Sequence, residues 1–195
     1  MTEQTHQNII VAGVGGQGIL TICGIIGVAA LARGLRVKQS EVHGMAQRGG
    51  AVVSHLRLST QPIASDLIPF GSAHMILSME PMEALRYLTY ARRDAVLVTS
   101  RNPVRNIADY PDENVIEVRL KEWPRHVILD AEKLARQAGT ARAVNSVMLG
   151  AASAFLMIPE ADVRVGIEQF FDRKGRDIVD KNLAGFDLGR AAANP

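Results

Sequence analysis

Residues 8–18 are Asn-Ile-Ile-Val-Ala-Gly-Val-Gly-Gly-Gln-Gly, a short apolar run that passes directly into a glycine-rich turn. Consecutive apolar residues are typical of a strand covered on both faces in a parallel sheet. Gly13, Gly15 and Gly18 have the G-x-G-x-x-G spacing, which permits a tight turn and leaves backbone N–H groups free at the start of a helix. The turn is therefore suited to an anion, or equally to close packing without a ligand.

A dinucleotide site would also need an acidic residue at the end of the second strand, about 20 residues further on. Here the predicted second strand, residues 35–38, is followed by Gln39 and Ser40, and Glu41 comes late. Gln17 also places an amide within the turn, an unusual choice if the turn only admits a pyrophosphate. The glycine spacing alone is thus a weak indication of a nucleotide.

The second informative block is the polar, glycine-studded segment from Ser40 to Gly50. It contains Glu41, His43, Gly44, Met45, Gln47, Arg48, Gly49 and Gly50. Arg48 can bind a carboxylate or phosphate, and His43 or Glu41 can exchange protons. The alternative is that Glu41 and Arg48 pair to hold a loop while His43 fills a subunit contact. The glycines give the loop a shape without adding packing, so we favour a functional role for the loop as a unit.

Strand and helix patterns alternate along the rest of the chain. Strands are predicted at 8–12, 35–38, 51–58, 73–78, 95–99 and 125–130, with shorter candidates at 61–66 and 115–118, and helices at 19–33, 80–91, 131–137, 143–155, 161–171 and 174–188. We predict one domain over 1–195, a three-layer α/β/α, Rossmann-like fold with a mainly parallel sheet and a helical C-terminal third. Turns that follow successive strands lie at one edge of such a sheet, so the glycine turn and the 40–50 loop should face one another.

Composition excludes several classes of function. A formal charge of +2 and 5% aromatic residues give neither a basic nucleic-acid footprint nor a stacking platform. Residues 9–32 carry no charge, but four glycines split the stretch and no basic residue precedes it, so we expect neither a signal peptide nor a membrane span. The single cysteine, Cys23, favours a reducing, cytoplasmic setting and cannot by itself hold an iron–sulfur cluster.

Other candidate residues are weaker. Cys23 falls within a buried helix and should be inert, and His55, on a strand that alternates polar and apolar residues, should be a surface or interface residue. The remaining histidines lack the spacing of a metal site, so no metal site is predicted. Asn145, at the head of an apolar helix, is either a helix cap or part of an interface or site. The chain also lacks the Gly-Asp-Gly and downstream Asn-Asn of thiamine-diphosphate proteins.

Four motifs carry a resemblance to a known family: Gly13–Gly18, Ser40–Gly50, the Glu-Pro-Met-Glu-Ala-Leu-Arg of residues 80–86, and Asn145 with Leu149-Gly150. The chain resembles the gamma-type module of 2-oxoacid:ferredoxin oxidoreductases (the fold of pyruvate:ferredoxin oxidoreductase domain III) from about residue 9 to 190. Within that family it is most similar to the free-standing beta-type subunits of indolepyruvate:ferredoxin oxidoreductases. The His-Gly-Met-Ala-Gln-Arg-Gly-Gly string is the specific part of the match.

The resemblance implies a subunit of an enzyme that oxidatively decarboxylates a 2-oxoacid such as indolepyruvate to its acyl-CoA and passes electrons to ferredoxin. Thiamine diphosphate, Mg²⁺ and [4Fe–4S] clusters would lie in a large alpha subunit, with CoA as co-substrate, and the isolated chain would be inactive and able to form a homodimer. We expect these residues to face the partner's active centre: Gly15, Gly16, Gln17, Gly18, Glu41, His43, Gly44, Met45, Gln47, Arg48, Gly49 and Gly50. No catalytic nucleophile is assigned. Two alternatives stay open, a self-contained NAD(P)- or nucleotide-binding protein and a regulatory relative without the chemistry.

Overall fold

The computed structural model describes residues 5–43 and 49–193, except for the side chain of His43. Six strands are formed: β1 His6–Val14, β2 Arg36–His43, β3 Ala51–Ser59, β4 Ala73–Ser78, β5 Ala91–Ser100 and β6 His126–Leu129. Seven α-helices accompany them: α1 Ile19–Ala32, α2 Pro81–Arg86, α3 Glu113–Lys121, α4 Ala131–Gln137, α5 Val144–Ser153, α6 Glu160–Phe171 and α7 Arg176–Ala192.

The strands form one six-stranded sheet in the order β2-β3-β1-β4-β5-β6. Strand β3 runs antiparallel to both of its neighbours, β1 and β2, whereas β1, β4, β5 and β6 pair in parallel. The prediction of a mainly parallel sheet is confirmed. Since β1, β2 and β4 run in the same direction, their carboxyl ends lie at one edge of the sheet, which we call the carboxyl edge.

Helices cover both faces of the sheet. Ile9 and Val11 of β1 belong to a core that includes α1 and α4 to α7. Ile10 and Ala12, which point to the other face because side chains alternate along a strand, pack with α2 and α3. The three-layer architecture and the helical C-terminal third are thus confirmed. In the described part of the chain no helix has the length and hydropathy needed to cross a membrane.

Strands β2 and β3 differ from the sequence-based expectation. β2 continues through Ser40 to His43, residues predicted as loop, because each of them pairs with β3. β3 was predicted to be half-exposed, but it lies between β1 and β2 and most of its residues are buried. The prediction that His55 is a surface or interface residue is therefore wrong: the ring is buried within the chain, and its Nδ1 accepts a hydrogen bond from the Ile68 N–H at 3.1 Å.

Three further local predictions are wrong. Residues 115–118 lie within α3, whose first turn is capped by the Asp112 carboxylate accepting from the Asn114 N–H, instead of in a strand. No strand forms at 61–66, which is a turn region. The helix predicted over 80–91 ends at Arg86, and β5 already begins at Ala91.

Cys23 is buried between α1 and the sheet, as predicted. Burial, with a smaller contribution from the Glu41 carboxylate, raises the pKa of its thiol to about 12. Since the thiolate is the reactive form, we expect iodoacetamide to modify the folded chain only as fast as the chain unfolds. Labelling kinetics at increasing urea, followed by mass spectrometry, would test this, and rapid labelling without denaturant would contradict it.

Candidate functional site at the carboxyl edge

The two sequence blocks meet at the carboxyl edge. β1 ends at Val14, which pairs with Ala51 at the start of β3. Beyond that pair, the Gly15 N–H donates to the Gly50 carbonyl at 2.8 Å, and the Gly49 N–H donates to the Gly15 carbonyl at 3.5 Å. The expectation that the glycine turn faces the end of the polar segment is confirmed for Gly49 and Gly50.

Gln17 holds the glycine turn together. Its Oε1 accepts from the Val14 N–H at 2.7 Å, and its Nε2 donates to the Met79 carbonyl at 3.3 Å. The side chain therefore closes the turn after β1 and ties it to the end of β4. Gly13 leaves space for this amide, because a Cβ there would lie 2.8 Å from Gln17 Oε1. The amide that seemed unusual for pyrophosphate binding thus has a structural partner on each side.

Gly18 and Asn145 join the turn to the C-terminal helices. Gly18 caps α1 with a φ of 76°, a conformation that favours glycine. The Nδ2 of Asn145 donates to the Gly18 carbonyl at 2.9 Å, across 127 residues of sequence. Asn145 is the second residue of α5, whose cap is Ala143, so the helix-cap interpretation is wrong and the side chain belongs to the site.

A cleft of about 460 Å³ opens beside the turn. It is lined by Gly16, Gln17, Gly18, Met79, Ser100, Asn102, Val104, Glu132, Ala141, Arg142, Val144 and Asn145. The cleft lies where the chain leaves β1 toward one face of the sheet and β4 toward the other, which is the usual ligand position in open α/β sheets. Ser100 and Asn102 were missed in the sequence analysis, although their position at the carboxyl end of a buried strand was a usable signal.

The cleft has a positive end. The first turn of α1, which follows the cleft-lining Gly18, contains no acidic residue and no side-chain cap, so nothing in that turn offsets the positive end of the helix dipole. Arg142 adds a guanidinium that has no ion-pair partner within residues 5–43 and 49–193. Together these groups suit an anion such as a phosphate or carboxylate.

Of the remaining residues of the polar segment, residues 40–43 belong to β2 and residues 44–48 lie outside the described residues. Glu41 lies within β2 opposite Ser54, and its charge acts on Cys23 of α1, so it belongs to a strand instead of a loop. His43 is the last residue of β2. Four predicted site residues lie outside the described residues: Gly44, Met45, Gln47 and Arg48. Their orientation toward a partner stays a prediction.

The Glu80-Pro-Met-Glu motif is a buried anchor. Glu80 is fully buried and caps α2, with its Oε2 accepting from the Glu83 N–H at 2.8 Å. Its Oε1 accepts from the Tyr110 hydroxyl and from the Val104 N–H, the latter at 3.4 Å. Sequence reasoning identified this motif as a helix start and missed its contact with the segment after β5.

His74 lies at the opposite edge of the sheet, with its ring against His6 at 5.1 Å between centroids. Burial, with smaller contributions from the charge of Arg92 and from His6, lowers the pKa of His74 to about 4. An unfolded histidine titrates near 6.5, so between these values the unfolded chain binds a proton that the folded chain does not.

We therefore expect the stability that neutral His74 contributes to be lost as the pH falls from about 6.5 toward 4. The His74→Asn variant should show a smaller difference between its urea midpoints at neutral pH and near pH 5. An equally steep pH dependence in the variant would contradict the assignment.

The chain is similar to known proteins along nearly its whole length. Residues 8–192 match the family described as pyruvate ferredoxin/flavodoxin oxidoreductase. The chain belongs to this family. Among curated relatives, the indolepyruvate oxidoreductase subunit IorB of Thermococcus kodakarensis is 36% identical over 196 residues, covering 95% of each chain. The subunit of the same name from Archaeoglobus fulgidus is 37% identical over 190 residues, covering 93% of this chain and 92% of its own.

Solved structures agree on the fold. A 2-oxoglutarate:ferredoxin oxidoreductase from Magnetococcus marinus, with 2-oxoglutarate, coenzyme A and succinyl-CoA bound, matches with a TM-score of 0.77 at 23% identity, over 98% of this chain and 31% of that one. Pyruvate oxidoreductase subunit PORC of Thermotoga maritima matches with a TM-score of 0.72 at 18% identity, over 96% and 97% of the two chains. The family membership and the curated relatives identify the chain as a subunit of a 2-oxoacid:ferredoxin oxidoreductase.

Proposed function

We propose that this chain is the subunit without cofactors of an indolepyruvate or aryl-pyruvate:ferredoxin oxidoreductase. The assembled enzyme would oxidatively decarboxylate the 2-oxoacid to its acyl-CoA and pass the electrons to ferredoxin. The names of relatives that are 36% and 37% identical over nearly their whole length support this substrate class.

The cofactors would be held by a large partner subunit. A [4Fe–4S] cluster ordinarily needs four thiolates, and this sequence has one cysteine, which is buried. Within residues 5–43 and 49–193, no group of three or more acidic, histidine or cysteine side chains could hold a metal ion. These residues do not fit thiamine diphosphate with Mg²⁺ or a cluster, so we assign no chemical step to them through those groups.

This chain would instead complete the partner's active centre with its carboxyl edge. The observation that carries this assignment is the junction of the glycine turn with Gly49 and Gly50 beside the cleft. We infer that the partner-facing surface comprises Gly15 to Gly18 together with Glu41, His43, Gly44, Met45 and Gln47 to Gly50. The cleft would help to admit CoA, whose phosphates suit the start of α1 and Arg142.

Exposed apolar side chains support a docking role for this edge. Leu20 in the first turn of α1 is 55% exposed, Val42 near the end of β2 is 53% exposed, and Ile107 in the segment after β5 is 48% exposed. All three belong to segments that begin or end at the carboxyl edge. A contiguous apolar patch is typical of a surface that another chain covers, so the proposal predicts that these three side chains are buried together in the assembled enzyme.

Reconstitution tests the proposal. The chain should be purified alone and together with the large subunit, and each preparation assayed with a panel of 2-oxoacids, CoA and ferredoxin. We expect turnover only in the complex, with aryl-pyruvates preferred. Replacing Arg48 with alanine should reduce turnover without preventing assembly, and unchanged turnover would remove the functional role of the 40–50 segment.

A binding experiment tests the competing nucleotide function. The isolated chain should be titrated with NAD(H), NADP(H) and CoA by calorimetry. Tight binding of a nicotinamide nucleotide by the chain alone would contradict the proposed function.

A further inference from the structure

The segment that connects β5 to α3, residues 101–112, reaches the Gly49 end of the polar segment. The Nδ2 of Asn106 donates to the Gly49 carbonyl, 57 residues away in sequence. The Asn106 N–H donates to the Val104 carbonyl at 2.8 Å, so a local turn fixes the backbone that presents this amide. We call residues 101–112 the strap.

The strap is anchored on the buried carboxylate of Glu80. The Val104 N–H and the Tyr110 hydroxyl both donate to Glu80 Oε1, from positions on either side of Asn106. Because Glu80 is fully buried, loss of either donor would leave Oε1 with one hydrogen bond fewer in a site closed to solvent. Because Asn106 is exposed, water would satisfy its side-chain amide equally well, and burial does not require its hydrogen bond to the Gly49 carbonyl.

These contacts belong to a closed circuit of hydrogen bonds that includes Gln17, Met79 and Val104 of the cleft lining. Glu80 follows Met79, whose carbonyl accepts from Gln17 in the glycine turn. Gly15 in the same turn exchanges hydrogen bonds with Gly49 and Gly50, and Gly49 accepts from Asn106 in the strap. The strap, the end of β4, the glycine turn and the Gly49–Gly50 pair are thus linked in a closed circuit.

We propose that Asn106 and Tyr110 are positioning residues that fix Gly49 and Gly50 against Gly15, which directly precedes the cleft-lining residues Gly16 to Gly18. This inference rests on the proposed function, because the glycine turn with Gly49 and Gly50 would be the part of this chain that faces the partner's active centre. Tyr110 acts through Glu80, and Asn106 acts directly on the Gly49 carbonyl. Neither residue needs to touch a substrate.

Two variants remove one donor each while nearly preserving shape: Asn106→Asp and Tyr110→Phe. Arg105→Ala is the matched control, since Arg105 lies in the strap but pairs outward with Glu113. Hydrogen exchange of the isolated chain gives the first readout. The Gly15 N–H, bonded to Gly50, should exchange about tenfold faster in both variants, whereas the Leu97 N–H, bonded to Arg125 at the far side of the sheet, should not change.

The assembled complex gives the second readout. Both variants should assemble normally but lose about tenfold in kcat/KM for CoA, because small displacements of positioning groups are costly to rate. The control should match the parent in both measurements. A purely structural role would instead accelerate exchange throughout the sheet and lower the urea midpoint.

The outcomes are distinguishable. Unchanged exchange at Gly15 in both variants would overturn the proposed circuit. Faster exchange with unchanged kcat/KM would overturn the positioning role and leave the proposed function intact. An inactive parent complex would overturn the proposed function, and the positioning role with it, whatever the exchange experiment gives.

Discussion

Replacing Gly189 with alanine is expected to destabilise the protein by about 3 kcal/mol or to prevent folding. A Cβ at this position in α7 would lie 1.9 Å from the Val147 carbonyl oxygen of α5. The carbonyl belongs to the backbone and the Cβ is attached to it, so no side-chain rotation can relieve the clash. The reciprocal contact is equally close, because a Cβ at Gly150 of α5 would lie 2.0 Å from the Phe186 carbonyl oxygen of α7. The two helices must therefore separate to admit either methyl group.

The consequence would reach the candidate site. α5 carries Asn145, which bonds the Gly18 carbonyl in the glycine turn, so displacement of α5 also withdraws this contact. Urea unfolding followed by the fluorescence of Trp123, the single tryptophan, would measure the loss.

Gly27→Ala is the matched control for this prediction. Gly27 also lies in a helix, but the nearest atom to a Cβ there, Cγ1 of Val37, is 3.9 Å away. The methyl group fits, and alanine is the better helix former, so we expect a gain of about 0.5–1 kcal/mol. Equal losses at Gly27 and Gly189 would show that close helix approach is not the cause.

Replacing Gln17 with glutamate is expected to cost about 2 kcal/mol at neutral pH and to reduce turnover of the assembled enzyme by at least about tenfold. The substitution preserves shape and the oxygen that accepts from the Val14 N–H. It replaces the Nε2 donor with an oxygen facing the Met79 carbonyl, so two acceptors oppose each other. The tie between the glycine turn and β4 would be lost.

The pH dependence separates this mechanism from a general packing defect. A protonated carboxyl can donate to the Met79 carbonyl, so the folded state should raise the pKa of the introduced group above its unfolded value of about 4.3. The variant should then recover stability relative to the parent as the pH falls through that raised value. Gln17→Met, which removes both hydrogen bonds without adding a charge, should show no such recovery.

Local sequence patterns correctly predicted the elements whose formation depends on residues adjacent in sequence. The apolar run of residues 9–12 gave β1, and Gly34 ends α1 with a φ of 74°. The alternation of strands and helices gave the layered fold. The sequence-based predictions failed where a neighbouring segment decided the local structure. Residues 40–43 form a strand because they pair with β3, and residues 115–118 form a helix whose first turn is capped by Asp112.

Residues of the candidate site with a local sequence signature were predicted, whereas residues defined by a distant partner were harder to identify. The glycine turn and residues 49–50 were identifiable because clustered glycines are uncommon outside tight turns and sites of close backbone approach. For Asn145 the sequence left both a helix cap and a site open, because its partner Gly18 lies 127 residues away. Asn102 and Asn106 were not identified at all, because amide side chains are common in caps and loops. The extent of the domain and the orientation of residues 44–48 stay predictions.

By itself the sequence determined that a glycine turn follows a buried strand, that a second glycine-rich segment returns to the same edge, and that one cysteine cannot hold a cluster. Only the tertiary structure decided what those glycines serve. Gln17 ties the turn to the end of β4, Asn145 of α5 bonds the Gly18 carbonyl, and the buried Glu80 accepts from a strap that reaches Gly49. The physical reason is that glycine and amide patterns are set locally, whereas the partners of a hydrogen bond are chosen by the packing of segments remote in sequence.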